Sequence, residues 1–330
     1  MERPRQPLHR RPSTILYAVV LGLALGFGVD VWRSGGPGLW LAHRAGPPAY
    51  EPLGSRVEIG ERSLYLDCRG RGDPTVIFEA GMGGDSSGWG AVFPEVAGLT
   101  RACVYDRANR GRSDLRGRHT LADAGDDLAA LLAAAGERSP YLLVGHSLGG
   151  AYVRAFAAAR REQVAGIVLV DAFNPDRFDR QLAAAPPDLA ATWAADMAAT
   201  FDLIERTEGL DWAMSAGELA MASVNGLALE ILVVGRRDPR LTGQEADAVD
   251  AAWLDGLGSL SSEARVTIVE GSGHFIHLDR PDEVVAAIRR LVERARADRP
   301  VPVAQGRTDR PNRALHPGTG RAEAPRKDHR

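Results

Sequence analysis

The most constraining stretch of this chain is Gly145-His146-Ser147-Leu148-Gly149-Gly150, because of what flanks it. Before it runs an apolar segment, Tyr141-Leu142-Leu143-Val144. After it Leu148, Ala151, Tyr152, Ala155, Phe156 and Ala159 recur at three- and four-residue spacing, the period of a helix with one buried face. A strand that turns into a helix through G-x-S-x-G holds the serine hydroxyl at the tip of a sharp elbow, and the two glycines are expected to supply the turn. Leu148 then presents its backbone N–H at a helix N-terminus, where negative charge is favoured. The plain alternative is a glycine-rich turn whose serine only caps a helix, and the rest of the chain decides between the two.

Strand-like runs bounded by Gly, Asp and Pro occur at 56–59, 63–68, 75–79 and 102–105. Beyond them strands and helices alternate. Thr120-Leu121-Ala122-Asp123 has the form of a capping box opening a helix that buries Leu121, Ala124, Leu128, Leu131, Leu132 and Ala135 and ends before Gly136. Further strands are expected at 141–144, 165–170, 229–234 and 265–269. Pro281 and Asp282 suit the first turn of a last helix whose buried face carries Val284, Val285, Ile288, Leu291 and Val292. Alternation of this kind implies an α/β fold with a largely parallel sheet covered by helices on both faces.

The ends differ from this middle. Arg3, Arg5, Arg10 and Arg11 precede an uncharged, almost entirely apolar run from Thr14 to Val29, the pattern of an export signal or a membrane anchor. Residues 1–32 are therefore read as a basic N-region plus signal peptide or N-terminal anchor. The arginines ahead of the run place the N-terminus in the cytoplasm and the body outside it, with cleavage and anchoring both open. Residues 33–54, with Gly35-Gly36-Pro37-Gly38 and Pro47-Pro48, read as a linker. The tail 297–330 is rich in Arg, Pro and Gly and too poor in large apolar residues to order itself. A net charge of −3 points to neither a nucleic-acid partner nor a strongly cationic substrate.

A serine alcohol becomes a useful nucleophile when a base takes its proton and a buried acid orients that base. His274, in Gly271-Ser272-Gly273-His274-Phe275 after the last strand, is the expected base. Its rival His277 falls on the way into the final helix. His146 adjoins the serine, but an elbow points neighbouring side chains apart, so it is assigned a structural role. For the acid, Asp238 in Gly235-Arg236-Arg237-Asp238 and Asp171 both follow strands whose carboxyl ends share one sheet edge. Asp238 keeps the order serine, acid, histidine and is preferred; Asp171 is the alternative, and Asp238 paired with Arg236 or Arg237 on an exposed loop is the plain reading.

These motifs in this order, with Tyr105-Asp106-Arg107-Ala108-Asn109-Arg110-Gly111-Arg112-Ser113, resemble the α/β-hydrolase superfamily over about residues 55–296. The resemblance is closest to exported bacterial hydrolases of the esterase and lipase kind. It implies a mostly parallel eight-stranded sheet built from 55–171 and 227–296, and a helical cap at 172–226. It also implies no cofactor or metal, and a second oxyanion N–H from the loop Glu79-Ala80-Gly81-Met82-Gly83-Gly84, at Met82. Two departures stand out: Ala80 replaces a histidine often found there, and Asn109 stands where the family usually has Gly, although Asn tolerates left-handed backbone. The superfamily's strand order sets the second strand antiparallel to the fourth, which implies a disulfide between Cys68 and Cys103.

A serine at the elbow argues against relatives that use aspartate there, and leaves ester, thioester, lactone and short peptide cleavage. Phe173, Phe178, Trp193, Met197, Phe201, Trp212, Met214 and Met221 in the cap favour a small acyl substrate with an apolar part. An N-terminal aminopeptidase would require a carboxylate for the substrate amine, for which Glu205, Glu208 and Asp211 are available. A non-catalytic ligand-binding member of the fold is the other alternative.

Overall fold

In the computed structural model the described residues are 51–235 and 241–298. Asp238, residues 1–50 with the proposed export segment and most of the linker, and the tail from 299 onward lie outside them. Among the described residues no helix is long and apolar enough to cross a membrane.

Eight strands form one sheet in the order β1-β2-β4-β3-β5-β6-β7-β8. They are β1 Ser55–Glu58, β2 Ser63–Arg69, β3 Thr75–Glu79, β4 Ala102–Tyr105, β5 Tyr141–His146, β6 Val164–Val170, β7 Ala228–Val234 and β8 Ala264–Val269. Strand β2 is antiparallel to β1 and β4, and all remaining neighbours are parallel. Every expected strand is present, its ends shifted by at most about two residues, the usual uncertainty of an element boundary. The central strands read as unbroken apolar runs because both faces are covered. Ile77 and Leu143 enter one apolar layer with Leu131, Phe156 and Leu257, while their neighbours Val76, Phe78, Leu142 and Val144 enter the other with Phe93, Val96, Val284 and Ile288.

The first layer is closed by helices α2 (Leu121–Ala134), α3 (Gly149–Ala159) and α7 (Gly243–Gly258), the second by α1 (Phe93–Leu99) and α9 (Pro281–Ala297). Helix α2 opens on the expected box: the Thr120 hydroxyl accepts from the Asp123 N–H, and the Asp123 carboxylate accepts from the Thr120 N–H. Between β6 and β7 stand α4 (Pro175–Ala184), α5 (Pro187–Glu208) and α6 (Trp212–Met221). In this insertion Phe201 stacks on Trp212 at 4.4 Å, and Phe173 meets both rings edge-on at 5.7 and 5.3 Å. The cluster packs against Leu148, Tyr152 and the half-buried Met82. A parallel sheet gathers its carboxyl-end loops on one edge, so the turns after β3, β5, β6 and β8 approach one another there.

Cys68 and Cys103 lie directly opposite each other on β2 and β4, with Cα atoms 4.0 Å apart, and are joined as a disulfide. The bond closes a loop spanning a sequence separation of 35, for which chain-entropy arguments give about 3–4 kcal/mol. Converting both cysteines to serine is expected to lower the unfolding free energy by that order, measured by urea denaturation under non-reducing conditions, with no free thiol titrating in the denatured wild type.

Candidate active site

Ser147 follows β5 with φ of 51°, in the left-handed region. This differs from the expectation that the glycines supply the turn, since neither Gly145 nor Gly149 has a positive φ. The glycines are required for space. A Cβ on Gly145 would lie 2.7 Å from the Gly149 carbonyl oxygen, and one on Gly149 would lie 2.5 Å from the Glu79 carbonyl oxygen. At Gly150 a Cβ would meet that of Ala172 at 2.3 Å. The elbow is thus wedged between the ends of β3 and β6, and the conformational strain rests on the serine itself, a position disfavoured for a side chain with a Cβ. It is held by hydrogen bonds on both sides: the Ser147 N–H donates to the Val170 carbonyl, and the Ser147 carbonyl accepts from Gly150 and Phe173.

His274, after β8, has its Nδ1 2.7 Å from Oδ2 of Asp171. With Nδ1 donating to a carboxylate, Nε2 is the nitrogen left to accept a proton. Asp171, directly after β6, is largely buried and has φ of 38°. Of the two candidate acids it is the one that the described residues bring to the histidine; Asp238 falls outside the described residues. His277, in the short helix α8 (Ile276–Asp279), is buried against Trp89 at 4.7 Å and His146 at 4.4 Å. His146 is buried beneath the site, 4.7 Å from the His274 ring, and its Nε2 lies 3.0 Å from the His274 carbonyl. It supports the loop that carries the base.

The loop after β3 closes the other side of the elbow. A Cβ on Gly81 would come within 2.8 Å of His146 Nδ1 and 3.2 Å of Ser147 Cβ, so only glycine lets the loop backbone approach this closely. Among the described residues neither the Leu148 nor the Met82 N–H donates to a protein acceptor. With Ala80 at the start of this loop, the loop carbonyls are held by a residue that the sequence analysis did not single out. The guanidinium of Arg107, buried, bonds the Ala80 carbonyl at 2.6 Å and the Gly81 carbonyl at 3.0 Å. It pairs with two buried carboxylates, Glu79 and Glu208, and lies 4.7 Å above the Tyr152 ring of α3.

Burial works to raise both carboxyls. Glu79, which also accepts from Tyr105, stays above the ordinary range, whereas the Arg107 charge and the Gly83 N–H bring Glu208 below it. Removing one member of a buried pair strands the other, at about 3–5 kcal/mol. The sequence signal for this pairing is Arg107 itself, one of three arginines in the stretch 105–113, with nothing in the local pattern to mark it as the buried one. Of the acids considered for binding a substrate amine, Glu208 is committed to Arg107 and Gly83, while Asp211 caps α6 and pairs with Arg118.

Residues 76–287 match the model of the alpha/beta hydrolase family, and the chain belongs to that family. A segment is 34% identical over 133 residues to efuK of Hormonema carpetanum, named as a transporter, covering 38% of this chain and 19% of that protein. YqjL of Bacillus subtilis strain 168, an uncharacterized protein, is 28% identical over 226 residues, 67% of this chain and 84% of YqjL. RutD of Azorhizobium caulinodans, named as a carbamate hydrolase, is 31% identical over 125 residues, 37% of this chain and 46% of RutD. The match thus spans less than half the length of efuK and of RutD. A protein of Acinetobacter baumannii AYE described as a lipase superposes with a TM-score of 0.55 at 16% identity over 75% of this chain and 93% of that one, a likeness of fold.

Burial, reinforced by His277 and His274, holds the His146 pKa well below its ordinary value. The unfolded chain takes up that proton near pH 6.5 and the folded chain only at lower pH, so stability is lost as pH falls below about 6.5, by up to about 1.4 kcal/mol per pH unit. His119, lowered chiefly by burial, acts in the same sense. Replacing His146 with Gln is expected to flatten the decline of the urea midpoint between about pH 6.5 and 5 relative to wild type.

Proposed function

We propose that this hydrolase-family chain is a serine hydrolase that cleaves a carboxylic ester or related acyl bond through an acyl-enzyme on Ser147. The single observation that carries this reading is the left-handed Ser147 at a strand-to-helix elbow on the same sheet edge as the Asp171–His274 pair. In the proposed mechanism His274 Nε2 takes the Ser147 proton as the hydroxyl attacks the acyl carbon, and then delivers it to the leaving oxygen. A water repeats the sequence in deacylation. Asp171 holds the imidazole in the tautomer that leaves Nε2 free and stabilises the imidazolium. The Leu148 and Met82 N–H groups receive the oxyanion.

An apolar acyl or alcohol part is supported by the side chains near these donors: Met82 and Leu148, with Phe173, Phe201 and Trp212 beyond them. A small-molecule substrate is supported by family membership, and hydrolysis at a carbonyl carbon by the likeness to RutD, named as a carbamate hydrolase. The use of Glu208 inside the protein weighs against an aminopeptidase that would direct this carboxylate at a substrate amine. The basic and then apolar N-terminus, together with the Cys68–Cys103 disulfide, supports a body outside the cytoplasm, either anchored at the membrane or released by cleavage.

Ser147→Ala is expected to abolish turnover of a chromogenic short-chain ester and labelling by a fluorophosphonate. Wild-type turnover in that variant would overturn the assignment, and a wild-type protein inert to both reagents would favour a ligand-binding role. The two acids separate in the same assay: Asp171→Asn should lower kcat by about 10⁴-fold, as loss of the orienting carboxylate does in such triads, while Asp238→Asn stays within a few-fold of wild type.

A further inference from the structure

The peptide unit between Gly81 and Met82 is held from both sides. Its carbonyl accepts from Arg107 Nη2 at 3.0 Å and from the Gly84 N–H at 3.2 Å. In a planar trans peptide the N–H points opposite to the C=O, so fixing the Gly81 carbonyl fixes the direction of the Met82 N–H. One residue further, the Gly83 N–H donates to Oε1 of Glu208 at 2.6 Å, and the other oxygen of that carboxylate takes Arg107 Nη2 at 3.0 Å. Glu208 is the last residue of α5, in the insertion. The end of that helix is gripped by the same motif that supplies Arg107: Asn109 Nδ2 donates to the Glu208 carbonyl at 2.7 Å, and Arg110 Nη2 to the Thr207 carbonyl at 2.8 Å. Asn109 sits at φ of 67° and its Oδ1 accepts from the Arg116 N–H at 2.6 Å. Gly in its place would keep the turn and lose both bonds.

We propose that Glu208 is a positioning residue that makes the aim of the Met82 N–H depend on the seating of the insertion. When α5 is seated, one carboxylate holds both Gly83 and the guanidinium that orients the Gly81–Met82 peptide. When its end lifts, Arg107 loses a counter-charge and Gly83 its acceptor, and the loop is released. The inference rests on the reading of Met82 as an oxyanion donor only for its catalytic half; the structural half stands on the hydrogen bonds themselves.

The test is made on the full chain with Glu208→Ala, Glu208→Gln, Asn109→Gly and, as a control on the exposed side of α5, Asp202→Asn. Amide hydrogen exchange of a peptide spanning 79–92 and steady-state hydrolysis of a short-chain ester are measured together. Glu208→Ala is expected to speed exchange of the loop at least about tenfold and to lower kcat about 10- to 100-fold with KM within about threefold, the scale of a misaimed catalytic group. Glu208→Gln, which keeps an acceptor for Gly83 without the charge, falls between it and wild type. Asn109→Gly shifts both readouts the same way and carries the test if Glu208→Ala does not fold, while Asp202→Asn leaves both unchanged.

Unaltered loop exchange in Glu208→Ala, or in Asn109→Gly if the former does not fold, overturns the proposal whatever the activity. Faster exchange with an unchanged kcat overturns the link to the oxyanion. If wild type hydrolyses nothing, the serine hydrolase reading fails on its own, and the exchange measurement still decides whether Glu208 holds the loop.

Discussion

A guanidinium removed from water must find a partner for its charge and for its N–H groups inside the protein, and Arg107 does so by reaching three separate parts of the chain. Its partners are the carboxylate at the end of β3, two carbonyls of the loop after β3, and a carboxylate at the end of α5. It also covers the ring of Tyr152 on the helix that follows Ser147. Such a charge adds little net stability compared with an apolar replacement, but an arrangement that satisfies it is hard to rearrange by small steps. The loop, the insertion and the elbow are for that reason held in one geometry around the site.

The elbow answers to a second constraint, that of space. Its glycines are sites where the carbonyls of Glu79 and Gly149 and the side chain of Ala172 come too close for a Cβ. The serine accepts the unfavourable φ because its backbone is fixed by Val170, Gly150 and Phe173. Strain at one residue is tolerable when the neighbouring structure over-determines it. Here the structure that does so is the pair of strands β5 and β6, whose register brings His146 beside Val170. The three histidines are divided by the same packing: His146 and His277 are buried against rings, and His274 keeps a partly exposed ring with one nitrogen on Asp171.

Much of this was legible in the sequence. The eight strands, the box at Thr120, the elbow and the pairing of Cys68 with Cys103 follow from local period, local capping chemistry and a family's strand order, and these signals survive because each is either short-range or set by burial on both faces of a sheet. The left-handed turn at Asn109 was legible for the same reason. Asp171 and Asp238 both follow strand segments at one sheet edge and chain order favoured Asp238, yet it is Asp171 whose carboxylate lies 2.7 Å from the His274 imidazole, because order along the chain carries no information on which carboxylate reaches a ring 103 residues away.

What the sequence by itself determined, then, is the class of fold, the serine and the histidine singled out on it, and the edge of the sheet where they lie. What only the tertiary structure decided is the partner of each charged group around them. In the sequence Glu208 is one of three acids of the insertion, with Glu205 and Asp211, that could meet a substrate amine, and in the structure it is the counter-ion of Arg107, a residue 101 positions away. The physical reason is that side-chain pairing across a folded interior depends on desolvation and on which surfaces meet. Neither has a periodic signature in the chain, whereas helices, strands and elbows do.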